Sequence, residues 1–131
     1  MISKNVFLCF FSFILCISGK AQVVDSSAKI KLVHQFHDFG DLQEGTLAKT
    51  KFTIVSVGQV PLWISSIERS CGCTTPRWPK DPIAPGDTAH IEVWFNTENR
   101  NGHFTKTLRI ISNNKGGEVP ISIIGNIIKA Q

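Results

Sequence analysis

Ala89-His90-Ile91-Glu92-Val93-Trp94-Phe95 is the stretch that decides the fold class. Ala89, Ile91, Val93 and Phe95 alternate with His90, Glu92 and Trp94, and an extended strand sends successive side chains to opposite faces. A helix would scatter the same residues around its axis instead of gathering them into one stripe. The period of two continues on both sides. Upstream, Ile30, Leu32 and Phe36 alternate with polar neighbours, Phe52 and Ile54 follow the turn signal Glu44-Gly45, and Leu62 and Ile64 share a face. Downstream, Phe104, Leu108 and Ile110 form a run interrupted by Lys106, which predicts a bulge or an edge position there. Val119, Ile121, Ile123 and Ile127 make the last strand, with Gly125 on the same face.

Turn formers separate these runs: Gly58, Pro85-Gly86-Asp87, Asn101-Gly102 and Asn113-Asn114-Lys115-Gly116-Gly117. Pro85-Gly86 suits a type II turn, with proline presetting φ and glycine accepting a positive φ. No window carries a capped helix with a 3.6-residue period. The sequence therefore predicts an all-β, immunoglobulin-like antiparallel β-sandwich of about seven strands, one domain over residues 29–128. The Cys…Trp…Cys spacing of an antibody domain is missing, so no inter-sheet disulfide is expected.

Residues 1–21 have the anatomy of a secretory signal peptide: Lys4, an apolar run from Val6 to Ile17, and Gly19-Lys20-Ala21 before a cut at Gln22. The apolar run falls short of the roughly 20 residues that a spanning helix needs. Leu8 and Leu15 precede Cys9 and Cys16, which disfavours a lipoprotein signal. Residues 22–28 are expected to be a flexible leader. Removing 21 of the 131 residues leaves 110, enough for one modest core. It also lowers the basic count from 14 to 12, against 10 acidic residues. The remaining Lys and Arg are scattered, without the footprint of nucleic-acid binding, and no second stretch predicts a membrane span.

Cys71-Gly72-Cys73 holds the two cysteines left after cleavage. Residues i and i+2 of a strand share a face with Cα atoms about 6.6 Å apart, at the upper edge for a disulfide, so a bond requires a bend at Gly72. Closing so small a loop contributes only about 1.6 kcal/mol by the chain-entropy formula. Three readings stand open: buried thiols packing as small hydrophobes, a disulfide or redox pair, or two ligands of a soft-metal site, Cu(I) or Zn(II), completed by histidine. An oxidising compartment argues against exposed free thiols. Arg69, Arg77 and Lys80 lie near in sequence and favour thiolate. A thioredoxin-type catalytic dithiol is not expected, since one residue separates the cysteines and no helix follows to lower a thiol pKa.

Other motifs have plain readings. Asp38-Phe39-Gly40 spells a kinase tripeptide without the accompanying loops, and is expected to be a strand end with Phe39 in the core. His34, His37, His90 and His103 show no metal-ligand spacing, and His90 alternates onto the polar face. No serine sits on a Gly-x-Ser-x-Gly elbow. Trp63 and Trp94 are candidates for covering the sandwich rim or forming an aromatic platform.

Phe36-His37-Asp38-Phe39-Gly40, Glu44-Gly45, Phe52, Pro61-Leu62-Trp63-Ile64, Ser70-Cys71-Gly72-Cys73-Thr74, Pro85-Gly86, Gly102-His103-Phe104, Ser112-Asn113 and Ile124-Gly125 occur in one order. Together they resemble the bacterial domain-of-unknown-function 1573 family, typical of exported proteins of Gram-negative bacteria. The pattern is distantly similar to the Ig-like interaction domains of ciliary and centrosomal proteins. The resemblance implies an Ig-like sandwich and export to the periplasm or beyond, and brings no established activity. One departure is Val55-Ser56-Val57-Gly58, where the family pattern implies an Asn before the turn.

The expected function is that of a non-catalytic binding or structural module, with no cofactor, whose partner is another exported or envelope protein. Its contacts would use a sheet face, an edge strand or the loop from Thr74 to Pro85, which four prolines stiffen. Trp78, midway along that loop, is the candidate contact anchor, with docking back onto the sandwich as its alternative. The competing class is a thiol-redox or soft-metal-binding protein using Cys71 and Cys73.

Overall fold

The computed structural model describes residues 19–129. Two four-stranded sheets face each other across one core. The first has the order β1 (Ile30–Leu32), β3 (Leu47–Ser56), β6 (Thr88–Asn96), β5 (Thr74–Arg77); the second has β2 (Phe36–Gln43), β8 (Val119–Ile128), β7 (Gly102–Ser112), β4 (Ile64–Arg69). This is an Ig-like sandwich. The proposed cleavage segment lies almost wholly outside the described residues, and among those described no helix is long and apolar enough to cross a membrane.

The alternating runs supply the inner faces. Phe52 and Ile54 of β3, Ile91, Val93 and Phe95 of β6, Leu108 and Ile110 of β7, and Ile121 and Ile123 of β8 are all fully buried. Each such side chain contributes about 1.5–3 kcal/mol relative to exposure. The expected type II turn is present: Gly86 has φ +87°, and Asp87 N donates to Ala84 O at 3.0 Å. Thr97 is a buried polar exception whose hydroxyl accepts from Thr46 N at 2.8 Å and lies 2.8 and 3.1 Å from the carbonyls of Thr46 and Gln43. It clamps the turn between β2 and β3 from the neighbouring loop.

Several expectations are corrected. The described residues form eight strands, in keeping with the expected number, but one pair departs from the antiparallel pattern: β2 runs parallel to β8, because the chain leaves the first sheet after β1 and joins the second in the same direction. Lys106 marks neither a bulge against β8 nor an edge: β7 is central and unbroken. The register shifts fall instead at Asp38–Asp41 and Ile64–Ser66. Asp38-Phe39-Gly40 is accordingly a bulge within a strand, where Asp38 Oδ1 accepts from Gly40 N at 2.8 Å. The Thr74–Pro85 segment is not a loop throughout, since Thr74–Arg77 is the edge strand β5 paired with β6. Pro76 lies on that edge, a position where a missing N–H is tolerated.

The end of the leader is also held in place. Asp25 pairs with Lys29 at 3.1 Å and with Lys115 at 2.9 Å, Ala28 bridges Asn114, and Ala28 is buried. Hydrogen bonds from Lys115 first, then Ser27 and Lys29, hold the Asp25 carboxyl well below the ordinary carboxylate range. Gly58 makes this docking sterically feasible. Its φ is not in the left-handed region, but a Cβ there would overlap Ser27 O and lie 2.5 Å from Lys29 N and 2.9 Å from Ala28 C.

Candidate functional site

The crossing from β4 to β5 carries the chain from the second sheet to the first, and Ser70–Cys73 make that crossing as a tight turn. The turn shortens the Cys71–Cys73 Cα separation to 5.4 Å, and the two sulfurs form a disulfide. The extended-strand spacing considered for the sequence does not apply, because the cysteines precede the strand instead of lying in it. The free-thiol reading is thereby corrected. Both sulfurs are engaged with each other, so neither is a thiolate ligand for a metal while the bond stands. Among the described residues no three His, Cys, Asp or Glu side chains converge.

The disulfide ties together no distant elements. Cys73 O already accepts from Asn96 N at 2.9 Å, and Arg69 Nη1 donates to Thr74 O at 3.1 Å, so backbone and guanidinium bonds fasten the start of β5. Both cysteines are half-buried at one end of the sandwich. Thr74, 1% exposed, places Oγ1 3.8 Å from Cys71 Sγ and 3.7 Å from Cys73 Sγ. Beside the turn, Gly72, Cys73, Asn96, Glu98, Asn99 and Arg100 line an open depression of about 300 Å³.

The cationic neighbourhood expected from sequence proximity is redistributed. Arg69 serves the Thr74 carbonyl, Arg77 lies with its guanidinium carbon 3.9 Å from the Trp94 ring centre, and Lys80 Nζ lies 3.2 Å from the Trp78 ring centre. Strand alternation explains the Arg77 contact, since Thr75 and Arg77 point to the outer face of the first sheet beside Trp94 and Glu92. Arg100, which lines the depression with Cys73, has no sequence signal linking it to the cysteines. The pairing of β5 with β6 brings the Thr97–Arg100 turn alongside them.

The outer face of the first sheet is a second candidate surface. Cross-strand register sets Lys49, Trp94 and Thr75 in one row and Lys51, Glu92 and Arg77 in the next. Lys49 Nζ lies 4.2 Å from the Trp94 ring centre, so the indole carries two cationic contacts. Lys51 reaches Glu92 at 3.7 Å, and His90 shares a hydrogen bond with Thr53 Oγ1 at 3.2 Å. Trp78, in contrast, is half-buried and packs against the core, with its Nε1 buried and meeting no acceptor among the described residues. Trp63 stands at the opposite end from the disulfide, 51% exposed, with its backbone N–H bonded to Asn113 Oδ1 at 2.8 Å.

Comparison with solved structures places this fold in varied company. A protein of unknown function from Porphyromonas gingivalis W83 superposes with a TM-score of 0.68 at 20% identity, over 81% of this chain and 50% of that one. The chain thus spans about half the length of that relative. The ASH / PapD-like domain 7 of human CEP192 superposes with a TM-score of 0.66 at 8% identity, over 81% of this chain and 89% of that one. The secreted serine protease VesC from Vibrio cholerae follows with a TM-score of 0.59 at 16% identity, over 82% of this chain and 25% of that one. At these identities the likeness is one of fold. No curated protein matches the chain. Residues 30–127, nearly the whole sandwich, match the family described as protein of unknown function (DUF1573), and the chain belongs to that family.

Proposed function

We propose that the chain is an exported, non-catalytic binding module whose contact surface is the outer face of the first sheet, centred on Trp94. The observation that carries the reading is the row Lys49–Trp94–Thr75 with Arg77 over the indole. A tryptophan ordered by two cations on an open sheet face offers a large, pre-organised contact at little entropic loss, the property of residues that dominate interfaces. The partner is another exported or envelope protein. Trp78 is not the anchor in this reading, because its packing against the core gives it a structural task.

A photoreactive residue at Thr75 tests the surface, compared with one at Thr107 on the outer face of the second sheet. Both positions are exposed. Discrete cross-linked adducts from Thr75, lost on Trp94→Ala and absent from Thr107, are expected in intact cells. Equal adducts from both faces, or none from Thr75, would sink the proposal. Export is tested by the mass of the protein recovered from envelope fractions, which is expected to begin at Gln22.

A further inference from the structure

We propose that the Cys71–Cys73 disulfide is a thiol-exchange site for a protein dithiol, approached through the depression beside Cys73 and Arg100. The inference goes beyond the binding reading and does not depend on the Trp94 face. Four observations converge on it. The bond closes a loop across a single residue and fastens a turn that backbone bonds already hold, so chain entropy gives it little structural task. It lies at a sandwich end with both cysteines half-buried, beside an open depression that Cys73 lines. Arg100 lines the same depression together with Glu98, so the lining carries one cation and one carboxylate, and the Arg100 guanidinium is the group that an incoming thiolate can pair with. The Thr74 hydroxyl is buried, and the two sulfurs are its only side-chain hydrogen-bonding partners among the described residues.

The last observation is the most telling. A buried hydroxyl normally binds a backbone carbonyl or another strong acceptor, whereas a disulfide sulfur is a weak one. A thiolate is a far better acceptor because hydrogen bonds to ionised groups are the strong ones. Thr74 is therefore placed to gain a partner when the bond opens. In the first step a thiolate of the partner dithiol attacks Cys73 Sγ. The sulfur–sulfur bond breaks, and its electron pair leaves on Cys71 Sγ, which accepts the Thr74 hydrogen bond before taking a proton. In the second step the partner's other thiolate attacks its own sulfur in the mixed disulfide and releases Cys73 as a thiolate, which is protonated in turn. The partner dithiol is oxidised to a disulfide, and this chain's disulfide is reduced to two thiols by the same two electrons.

The test uses the mature chain with dithiothreitol as the dithiol probe, and intact mass to count the two hydrogens gained. Reduction without denaturant is expected, and the reduced protein should keep its β-rich circular dichroism. Its melting temperature should fall by no more than about 6 °C, the ceiling set by so short a loop. Thr74→Val should slow reduction roughly tenfold through loss of the hydrogen bond to the leaving sulfur, with little change in melting temperature. With glutathione disulfide as a second probe, Cys71→Ser should form the mixed disulfide on Cys73 several-fold faster than Cys73→Ser forms it on Cys71. A bond that yields only after unfolding would overturn the proposal, as would free thiols in protein isolated without reductant. Equal rates for Thr74→Val and the parent, or faster adduct formation at Cys71, would overturn the assigned geometry.

Discussion

Gly58→Ala is the substitution that most directly tests how the domain is closed. The added methyl group would meet backbone on three residues, overlapping Ser27 O and lying 2.5 Å from Lys29 N and 2.9 Å from Ala28 C. Backbone cannot rotate away as a side-chain tip does, so either the leader lifts or the Val57–Gln59 segment shifts. Overpacking of this kind costs about 1–3 kcal/mol. Lifting the leader would also break Val57 N to Lys29 O and Gln59 N to Ser27 O, both 2.9 Å, at roughly 0.5–1.5 kcal/mol each. A total near 3 kcal/mol corresponds to a fall in melting temperature of about 12 °C for a domain of this size. Thermal unfolding by circular dichroism measures the shift, and limited trypsin digestion reports cleavage at Lys29 as the leader comes free. Gly72→Ala is the control, because a Cβ there meets nothing within 4 Å and its φ is not in the left-handed region; it should stay within about 0.5 kcal/mol of the parent. A Gly58→Ala protein that melts within about 4 °C of the parent, with Lys29 still protected, would refute the close-approach argument.

Gly125→Ala should destabilise by about 1–3 kcal/mol in urea unfolding, because its Cβ would lie 2.8 Å from the Phe104 ring and 3.0 Å from Gly40 O. Trp78→Ala should cost about 2–3 kcal/mol, below the range for a fully buried indole, while the cross-links formed from Thr75 persist. Lost cross-links at unchanged stability would return Trp78 to the contact surface. Trp94→Ala should show the opposite pattern, less than about 1 kcal/mol of stability lost at an outer-face site and the adducts gone. Asp25 should still be ionised at pH 3.9, where an unperturbed aspartate is half protonated. Its lowered folded-state pKa makes its stabilisation of the leader fully present above the unfolded value and lost as pH falls through the folded one. Carboxyl chemical shifts followed down an acid titration check this, and half-titration near pH 4 would contradict the ion pairs to Lys115 and Lys29.

Strand alternation alone was enough to determine the fold class and most of the core. Ile91, Val93 and Phe95 had only one arrangement that buries them together, and the same holds for Ile121 and Ile123. The Pro85-Gly86 turn was equally legible, because its chemistry is local and complete within four residues. What escaped the sequence depended on contacts between distant segments. Gly58 looked like a turn glycine, yet it is needed because the leader crosses it, and nothing in Val55–Gly58 encodes that crossing. Lys106 looked like an interruption, but β7 is a central strand whose pairing with β8 runs unbroken through that position, with the lysine half-buried. Whether Cys71 and Cys73 bond could not be read from their spacing, since a strand holds them too far apart and a turn does not. Only the crossing from the second sheet to the first places them in a turn, because β5 has to reach β6 on the other side of the core. The same pairing brings Arg100 to the disulfide and Arg77 to Trp94, so local patterns set the strands while the assembly of the two sheets decided which side chains became neighbours.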